Sequence, residues 1–237
     1  MRVLALDTTN RAGSVALVED DRVVDERAGD ASRTHGERLP GELAQLGAPW
    51  PTIDVFAVAS GPGSFTGLRI GIATMQGLAL VTGRRVIGVS ALEALAQIAS
   101  GPLGPGALVA SWIDGQRGEV FSALYRIADA PLFTPERLVE LETPAVAGPD
   151  ATRAAWSRHD LSSAVFTGDG AARYLPGIEA PPLLAGAIGL MAAANANRGV
   201  TGSPAAIHPL YIRRPDVELT RDTAAAKAAV SRADVDR

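Results

Sequence analysis

Residues 54–83 read DVFAVASGPGSFTGLRIGIATMQGLALVTG, and this stretch decides the fold. It opens with a short apolar run, Val55–Ala59, whose length and β-branched residues are typical of a buried strand. A Ser-Gly-Pro-Gly turn follows, and Ser64 then stands where a helix N-cap should stand. Over Phe65–Leu80, Arg69 is the only ionic side chain. The stretch predicts a buried strand, a glycine-rich turn and a helix that must be covered on nearly every side.

Glycines inside this predicted helix need an explanation, because each is about 1 kcal/mol less favourable there than alanine. Gly67 and Gly71 are four residues apart and share one face, so another backbone can approach that face closely. The helix is therefore either a core helix after a tight turn or a helix whose second face docks a partner. Free backbone N–H groups at residues 63–66 can also hold an anion. No lysine follows the last glycine, so the stretch is not a P-loop.

Composition places the chain among ordinary soluble globular proteins. Its 237 residues are 47% apolar and 20% charged, with a formal net charge of -4. This charge gives the chain no basic surface with which to bind nucleic acid on its own. The absence of cysteine excludes disulfides, thiolate metal sites and cysteine nucleophiles. Neither a signal peptide nor a membrane-spanning run is visible in the sequence. We therefore expect a cytoplasmic protein with no membrane partner.

Two related halves are predicted from the order of the elements. The first half reads β-β-β-α-β-α-β-α, which is a mixed sheet covered by helices. A Gly- and Pro-rich break at 100–106 follows, and we expect domains at 1–104 and 105–215, with a polar, flexible tail at 216–237. The second half also opens with a strand that ends in an aspartate and leads into a hairpin. That similarity predicts two related lobes.

Two turns are candidates for binding phosphate. Asp7, Thr8 and Thr9 end the first strand, where hydroxyls and backbone N–H groups can cradle a phosphate and Asp7 can orient a hydrated metal ion. An ordinary Asx or Ser/Thr turn explains the same residues equally well. Gly168 and Asp169 are a weaker candidate for a second such turn. The turn after Asp114 is polar enough for a site, but we favour a solvated hairpin there.

Metal and triad chemistry find little support in the sequence. The three histidines, His35, His159 and His208, are too far apart in sequence for a helical pair to chelate a metal ion. No Ser/His/Asp set can be nominated from spacing either. His35 stands near a helix start beside charged residues, which indicates a solvated or interface side chain.

Six stretches together resemble one family: LALDTTNRAGSVAL (4–17), SGPGSFTGLRIGIATMQGLAL (60–80), VIGVSALEALAQ (86–97), WIDGQRGEVFSALY (112–125), TGDGA (167–171) and PLYIRRPD (209–216). They are similar to the TsaB (YeaZ) family of bacterial tRNA threonylcarbamoyladenosine biosynthesis proteins, which is related to the peptidase M22, or glycoprotease, family. The resemblance covers almost the whole chain. It is weak over 128–163 and absent after Asp216.

This resemblance implies an α/β, actin-like ATPase (ASKHA, ribonuclease H-like) fold, with two lobes of mixed β-sheets covered by helices. It implies a non-catalytic scaffold that binds the TsaD paralogue, with TsaE, for the modification of adenosine 37 of tRNA. Such a scaffold contacts tRNA only through the complex and forms a homodimer when alone. No resident cofactor is implied, although weak ATP or ADP binding with Mg²⁺ at the partner interface stays open.

The resemblance also bears on individual residues. The catalytic paralogue carries H-H-x-E-x-H, whereas residues 90–95 here read SALEAL. Ala91 and Leu95 occupy the two ligand positions, so no metal ligand and no catalytic residue is expected. The family's docking surface maps onto two helices and predicts these partner-binding residues: His35, Leu39, Phe65, Leu68, Arg69, Ile72 and Met75. Whether the stripe through Ile72 or the one through Ile70 and Leu78 faces outward is left open.

Two enzyme functions compete with the scaffold. The first is a nucleotide-binding phosphotransferase or ATPase of the actin-like fold that uses Asp7, Thr9 and Asp169. Kinases of this fold usually place a glycine where Thr9 stands, which weakens this alternative. The second is a glycoprotease of the M22 type, and the missing histidine pair argues against it.

Overall fold

Two β-sheets of matching topology form the framework of the chain, in a computed structural model that describes residues 1–179, 183–200, 202 and 204–213. The first sheet has the order β3-β2-β1-β4-β5 and the second the order β8-β7-β6-β9. The strands are β1 (Arg2–Asp7), β2 (Ser14–Glu19), β3 (Arg22–Ala28), β4 (Val55–Gly61), β5 (Arg85–Ser90), β6 (Leu108–Asp114), β7 (Val120–Ile127), β8 (Leu138–Ala147) and β9 (Val165–Thr167).

The two sheets repeat one arrangement. β1 and β6 each end in an aspartate, Asp7 and Asp114, and each pairs antiparallel with the strand that follows it. On its other side each pairs parallel with a later strand, β4 or β9. This repetition confirms the predicted α/β fold with mixed sheets. It also makes the turn after Asp114 the topological counterpart of the turn after Asp7.

Helices cover both sheets in layers. α1 and α2 pack on one face of the first sheet, α3 and α6 lie between the sheets, and α4 and α5 pack on the outer face of the second. Their bounds are α1 (His35–Gln45), α2 (Phe65–Thr82), α3 (Ala91–Ala99), α4 (Pro149–Ala155), α5 (Asp169–Tyr174) and α6 (Ala185–Asn197). Pro40 lies inside α1 and does not end it.

Alternation along β1 distributes its side chains between two cores. Val3 and Ala5 pack with the helices between the sheets, whereas Leu4 and Leu6 pack with α1 and α2. Successive residues of a strand point to opposite faces. Since all four side chains are fully buried, β1 is apolar along its whole length and lies at the centre of the sheet.

Helix α2 has one buried face and one exposed face. Ile72, Met75 and Ala79 are buried in the core under the first sheet, whereas Leu80 and Val81 are 76% and 87% exposed. The apolar sequence predicts nearly complete cover, and the structure corrects that prediction. By length and composition α2 could cross a membrane, yet one whole face of it packs as a core helix does.

The glycines of α2 face the turn after β1. A Cβ on Gly67 would lie 2.1 Å from the carbonyl oxygen of Thr8, and a Cβ on Gly71 would lie 2.2 Å from Thr8 Oγ1. A Cβ on Gly63 would lie 2.6 Å from Thr9. These glycines therefore allow the close approach of a turn of the same chain and not of a partner.

The predicted domain limits, 1–104 and 105–215, stay a prediction. The first sheet lies wholly in the first range and the second sheet in the second, but α6 returns from the second range and packs on β1, β2 and β4. The predicted tail at 216–237 lies outside the described residues.

Gly71→Ala should destabilise the protein by about 1–3 kcal/mol, because the new methyl group overlaps Thr8 in a packed core. Gly77→Ala is the matched control in the same helix, since a Cβ there meets nothing within 4 Å. Helix propensity then acts alone and should stabilise the protein by up to about 1 kcal/mol. Urea denaturation measures both changes. If Gly71→Ala is neutral or stabilising, the close contact with Thr8 is wrong.

Candidate functional site

The turn after β1 is held by its own hydrogen bonds and by the start of α2. The Thr9 backbone N–H donates to Asp7 Oδ1 at 2.8 Å. The carbonyl of Thr9 accepts from the Ser64 backbone N–H at 2.6 Å. Asp7, Thr8 and Thr9 are all buried. The Ser64 backbone N–H, one of the groups that the sequence predicts to be free for an anion, thus stabilises the turn instead.

Helix α1 holds the other side of this turn through Arg38, which is 3% exposed. Its guanidinium donates to both carboxylate oxygens of Glu42, at 2.7 Å each, and to the carbonyls of Arg11 and Ala12. His35 Nε2 lies 3.0 Å from the Asn10 carbonyl. His35 is therefore half-buried against its own chain and is not a fully solvated side chain, while its role in partner binding stays a prediction.

The tautomer of His35 follows from its two neighbours. Nδ1 lies 2.7 Å from Arg38 Nη2, and a guanidinium can only donate. Nε2 faces a carbonyl, which can only accept. The imidazole consequently carries its hydrogen on Nε2. Burial, and next the charge of Arg38, lowers the pKa of His35, so the neutral form is favoured.

A small cavity lies between the sheets beside Asp7. Its volume is about 20 Å³, which is room for one water molecule. The lining residues come from both sheets and from α3, α5 and α6: Asp7, Thr9, Asn10, Gly13, Leu95, Ile113, Asp169 and Leu184. Two predicted phosphate-binding residues, Asp7 and Asp169, are thus brought together. The residues present do not fit a nucleotide in this conformation, and nucleotide binding stays a prediction.

Asp169 and Asp114 form the second half of this region. Asp169 Oδ1 accepts from the Asp114 backbone N–H at 2.9 Å, and Asp114 Oδ2 accepts from Arg173 Nη1 at 2.8 Å. Gly168 has φ +106°, and a Cβ on it would lie 2.1 Å from the Trp112 carbonyl. Sequence reasoning favours a solvated hairpin at Asp114 and misses this contact. The repeated strand–aspartate–hairpin pattern is the signal that could have selected the residue.

Acidic groups around the cavity are disfavoured in their charged form. Burial raises the pKa of Asp7, and the nearby carboxylates of Asp169 and Glu26 raise it further. Burial also raises the pKa of Asp169, and Asp114 adds to that rise. Ionisation of these two carboxyl groups at neutral pH therefore lowers the stability of the native state.

The structure corrects most of the predicted partner-binding residues. Four of them are core residues at most 4% exposed, which explains their apolar character without a partner: Leu39, Leu68, Ile72 and Met75. Phe65 and Arg69 are exposed, but they also contact their own chain. The Arg69 guanidinium lies 3.8 Å from the centre of the Phe65 ring, and Arg69 Nε donates to the Tyr211 hydroxyl at 2.8 Å.

The exposed face of α2 coincides with the stripe through Ile70 and Leu78 only in part, because Leu78 packs against the core. This face runs through Ile70, which is half-buried, and then Ala73, Gly77, Leu80 and Val81, which are exposed. Its spacing is the helical period of three and four. Neighbouring α1 adds small exposed residues, Gly36, Gly41 and Ala44. This surface, the α1–α2 face, is open to solvent; its α2 part is apolar, and α1 also exposes Glu37 and Gln45.

The two positions that the resemblance matches to the paralogue's metal ligands carry apolar side chains. Ala91 and Leu95 lie in α3 and are buried, and Leu95 borders the cavity beside Asp7. Within the described ranges no group of three or more His, Asp or Glu side chains is placed to hold a metal ion.

The two repeated mixed sheets, with a small cavity between them that is bordered by Asp7 of β1 and Asp169 of α5, define an actin-like, two-lobed α/β protein. Comparison with known proteins identifies the branch of this class. The family model for TsaD, tRNA N6-adenosine threonylcarbamoyltransferase, matches residues 29–168. The chain belongs to this family. Several of the proteins and solved structures that it resembles are named TsaB or YeaZ.

Individual relatives show the extent of the match. TsaB of Escherichia coli is 41% identical over 130 residues, which is 53% of this chain and 55% of that protein. The chain thus aligns with about half the length of this relative. An uncharacterized protein of Mycobacterium tuberculosis is 34% identical over 222 residues, covering 91% of this chain and 93% of its own.

A solved structure extends the likeness to the whole fold. A Pseudomonas aeruginosa protein described as similar to the peptidase YEAZ has a TM-score of 0.73 at 29% identity, covering 90% of this chain and 99% of its own. YeaZ of the same organism gives 0.67 at 28% identity, covering 89% of this chain and 99% of its own.

Asp7→Asn should raise the melting temperature at pH 7 by about 2–4 °C, the shift expected for roughly 1 kcal/mol in a chain of this size. The native pKa of Asp7 is raised, so its stability contribution falls as pH rises through that pKa. The difference between variant and wild type should therefore vanish near pH 4. Asp21→Asn, at an exposed turn, is the control and should change neither value. A wild type that is the more stable protein at pH 7 contradicts this account.

Proposed function

We propose that this chain is a non-catalytic scaffold subunit in the synthesis of N6-threonylcarbamoyladenosine at position 37 of tRNA. Its partner is a TsaD-type threonylcarbamoyltransferase, and TsaE joins the assembly. The observation that carries the proposal is the exposed apolar α1–α2 face. Membership of the family supports the pathway, since relatives named TsaB are described as tRNA threonylcarbamoyladenosine biosynthesis proteins.

The α1–α2 face has the chemistry of a protein-binding surface. Leu80 and Val81 are large apolar side chains almost wholly in water, and contiguous exposed apolar surface marks interaction sites. Ala73 and Gly77 keep the middle of the face low, so a partner helix can lie close to α2. Two such helices can supply the roughly 800 Å² per partner of a standard interface. The same face serves a homodimer when the partner is absent.

The size of the cavity beside Asp7 and the apolar residues near it support a non-catalytic role. Ala91 and Leu95 place methyl and isobutyl groups where the paralogue carries histidines, so a metal ion finds no ligand there. The cavity beside Asp7 has room for about one water molecule. We infer that the chain has no resident cofactor and that any ATP or ADP with Mg²⁺ binds weakly, at the partner interface. The protein acts in the cytoplasm and contacts tRNA only through the complex.

A second candidate function is a nucleotide-dependent phosphotransferase or ATPase. The observation that favours it is that Asp7 of β1 and Asp169 of α5 border one cavity. Thr9 takes part in this alternative, but its carbonyl is occupied by Ser64. An M22-type glycoprotease has less support, because the positions of its metal ligands are apolar.

Val81→Glu should abolish association with the tRNA N6-adenosine threonylcarbamoyltransferase of the same organism. A carboxylate buried without a partner at an interface costs several kcal/mol, whereas Val81 is so exposed in the free chain that folding should be unaffected. Val24→Glu is the matched control, because Val24 is 54% exposed and lies on β3, away from this face. Gel filtration of the mixture measures association, and circular dichroism checks the fold.

Ile72→Glu provides the opposite comparison on the same helix. Ile72 is buried, so this variant should unfold rather than fail only to associate. The scaffold proposal is contradicted if Val81→Glu and Val24→Glu both bind the transferase as the wild type does.

A further inference from the structure

A second group of acidic side chains lies away from the cleft, where α3 packs on β7 and β8. Tyr125 and Glu140 are directly opposite each other in the antiparallel β7–β8 pair. Their side chains therefore leave the same face of the sheet, with Cβ atoms about 5 Å apart. Glu93 lies in the first turn of α3, the helix that packs on both of these strands. The register of β8 shifts at this point, as β-bulges often do where a side chain is re-aimed.

The two carboxylates of this group lack compensation. Within the described part of the chain, no basic side chain pairs with Glu93 or Glu140, and no group donates a hydrogen bond to either carboxylate. Burial raises the pKa of Glu93, and the neighbouring Glu140 raises it further. A largely buried carboxylate whose nearest charge has the same sign is unfavourable unless a cation or a proton neutralises it.

Tyr125 provides an independent observation. The residue is 2% exposed, and its hydroxyl has no hydrogen-bond partner among the described residues. Buried polar atoms are nearly always paired, so an exception calls for a physical explanation, and a bound ion or water is one. Burial, Glu93 and Glu140 raise the pKa of the phenol, so it keeps its proton and remains a donor beside two carboxylates.

We propose that Glu93 and Glu140 bind a hydrated divalent cation, and that Tyr125 donates a hydrogen bond to a ligating carboxylate oxygen or to a water on the ion. Hard oxygen donors select Mg²⁺ or Ca²⁺, and Mg²⁺ commonly binds through one or two carboxylates and keeps several waters. Glu140 is exposed, which gives a hydrated ion access. The ion ties α3 to the second sheet and takes no part in the cleft, where Leu95 faces Asp7.

The direct test uses the full chain and Mn²⁺ as a paramagnetic probe, with binding followed by electron paramagnetic resonance. The wild type should bind one Mn²⁺ per chain, and competition with Mg²⁺ and with Ca²⁺ should identify the preferred ion. Glu93→Gln and Glu140→Gln should each weaken binding by more than about tenfold, and Tyr125→Phe by about tenfold. The Tyr125→Phe effect distinguishes this site from a loose surface pair of carboxylates.

Two control variants should leave binding unchanged. Glu142→Gln alters a carboxylate on the same strand that is paired with Arg158 and His159, and Asp169→Asn alters the cleft. Glu140 is exposed, so its variant should fold normally and decides the outcome even if Glu93→Gln does not fold. The proposal is overturned by an absence of saturable binding up to about 10 mM Mn²⁺, by binding that survives Glu140→Gln, or by binding lost in Asp169→Asn.

Discussion

The packing of α2 on the turn after β1 holds that turn in place and decides which face of α2 is exposed. Gly67 and Gly71 allow Thr8 to touch the helix backbone, and the Ser64 N–H group is used by Thr9. On the other side, Arg38 of α1 holds the same turn through backbone carbonyls. A turn clamped between two helices cannot open to receive a phosphate without giving up these contacts. The same packing directs the opposite stripe of α2 outward.

The exposed end of the outward stripe, Leu80 and Val81, lies outside the core, and this is why it bears on function. Leu80 and Val81 contribute nothing to the core while they are exposed, and replacing them with polar residues would not disturb the packing of Ile72 or Met75. An apolar stripe beside small residues on two adjacent helices is the surface that a second helical pair can cover. The proposed scaffold role thus depends on this exposed surface, whereas an enzyme of this fold would depend on the cavity beside Asp7.

Much of the fold is predictable from sequence because its signals are local. The strand–aspartate–hairpin pattern predicts related lobes, and the start of α3 is fixed locally by Ser90, whose side chain accepts a hydrogen bond from the Glu93 backbone N–H. The orientation of α2 is not predictable from its apolar period, because both of its faces are apolar. Only the glycines distinguish the two faces of α2. If Gly67 and Gly71 are interpreted as a contact with a partner, then Leu68, Ile72 and Met75 are assigned to the partner surface, although they belong to the core.

Side-chain roles depend on contacts distant in sequence. The charged sequence neighbours of His35 indicate a solvated side chain, yet its environment is made by Asn10, 25 residues earlier. The approach of Asp7 and Asp169 to one cavity is only partly predictable. The sequence indicates two phosphate-binding turns, but it does not indicate that the cavity between them is closed. Asp114 ends a polar hairpin strand, which is typically solvated, and only the fold brings Asp169 of α5 to its backbone.

The central claim is that the clamped turn leaves the free chain unable to bind nucleotide. Isothermal titration of the purified chain with ATP and Mg²⁺ tests this claim most directly. The account predicts no saturable heat up to about 1 mM ATP, the range of interactions weaker than roughly -4 kcal/mol. A dissociation constant near 10 µM, about -7 kcal/mol, would contradict it and would favour an actin-like nucleotide enzyme.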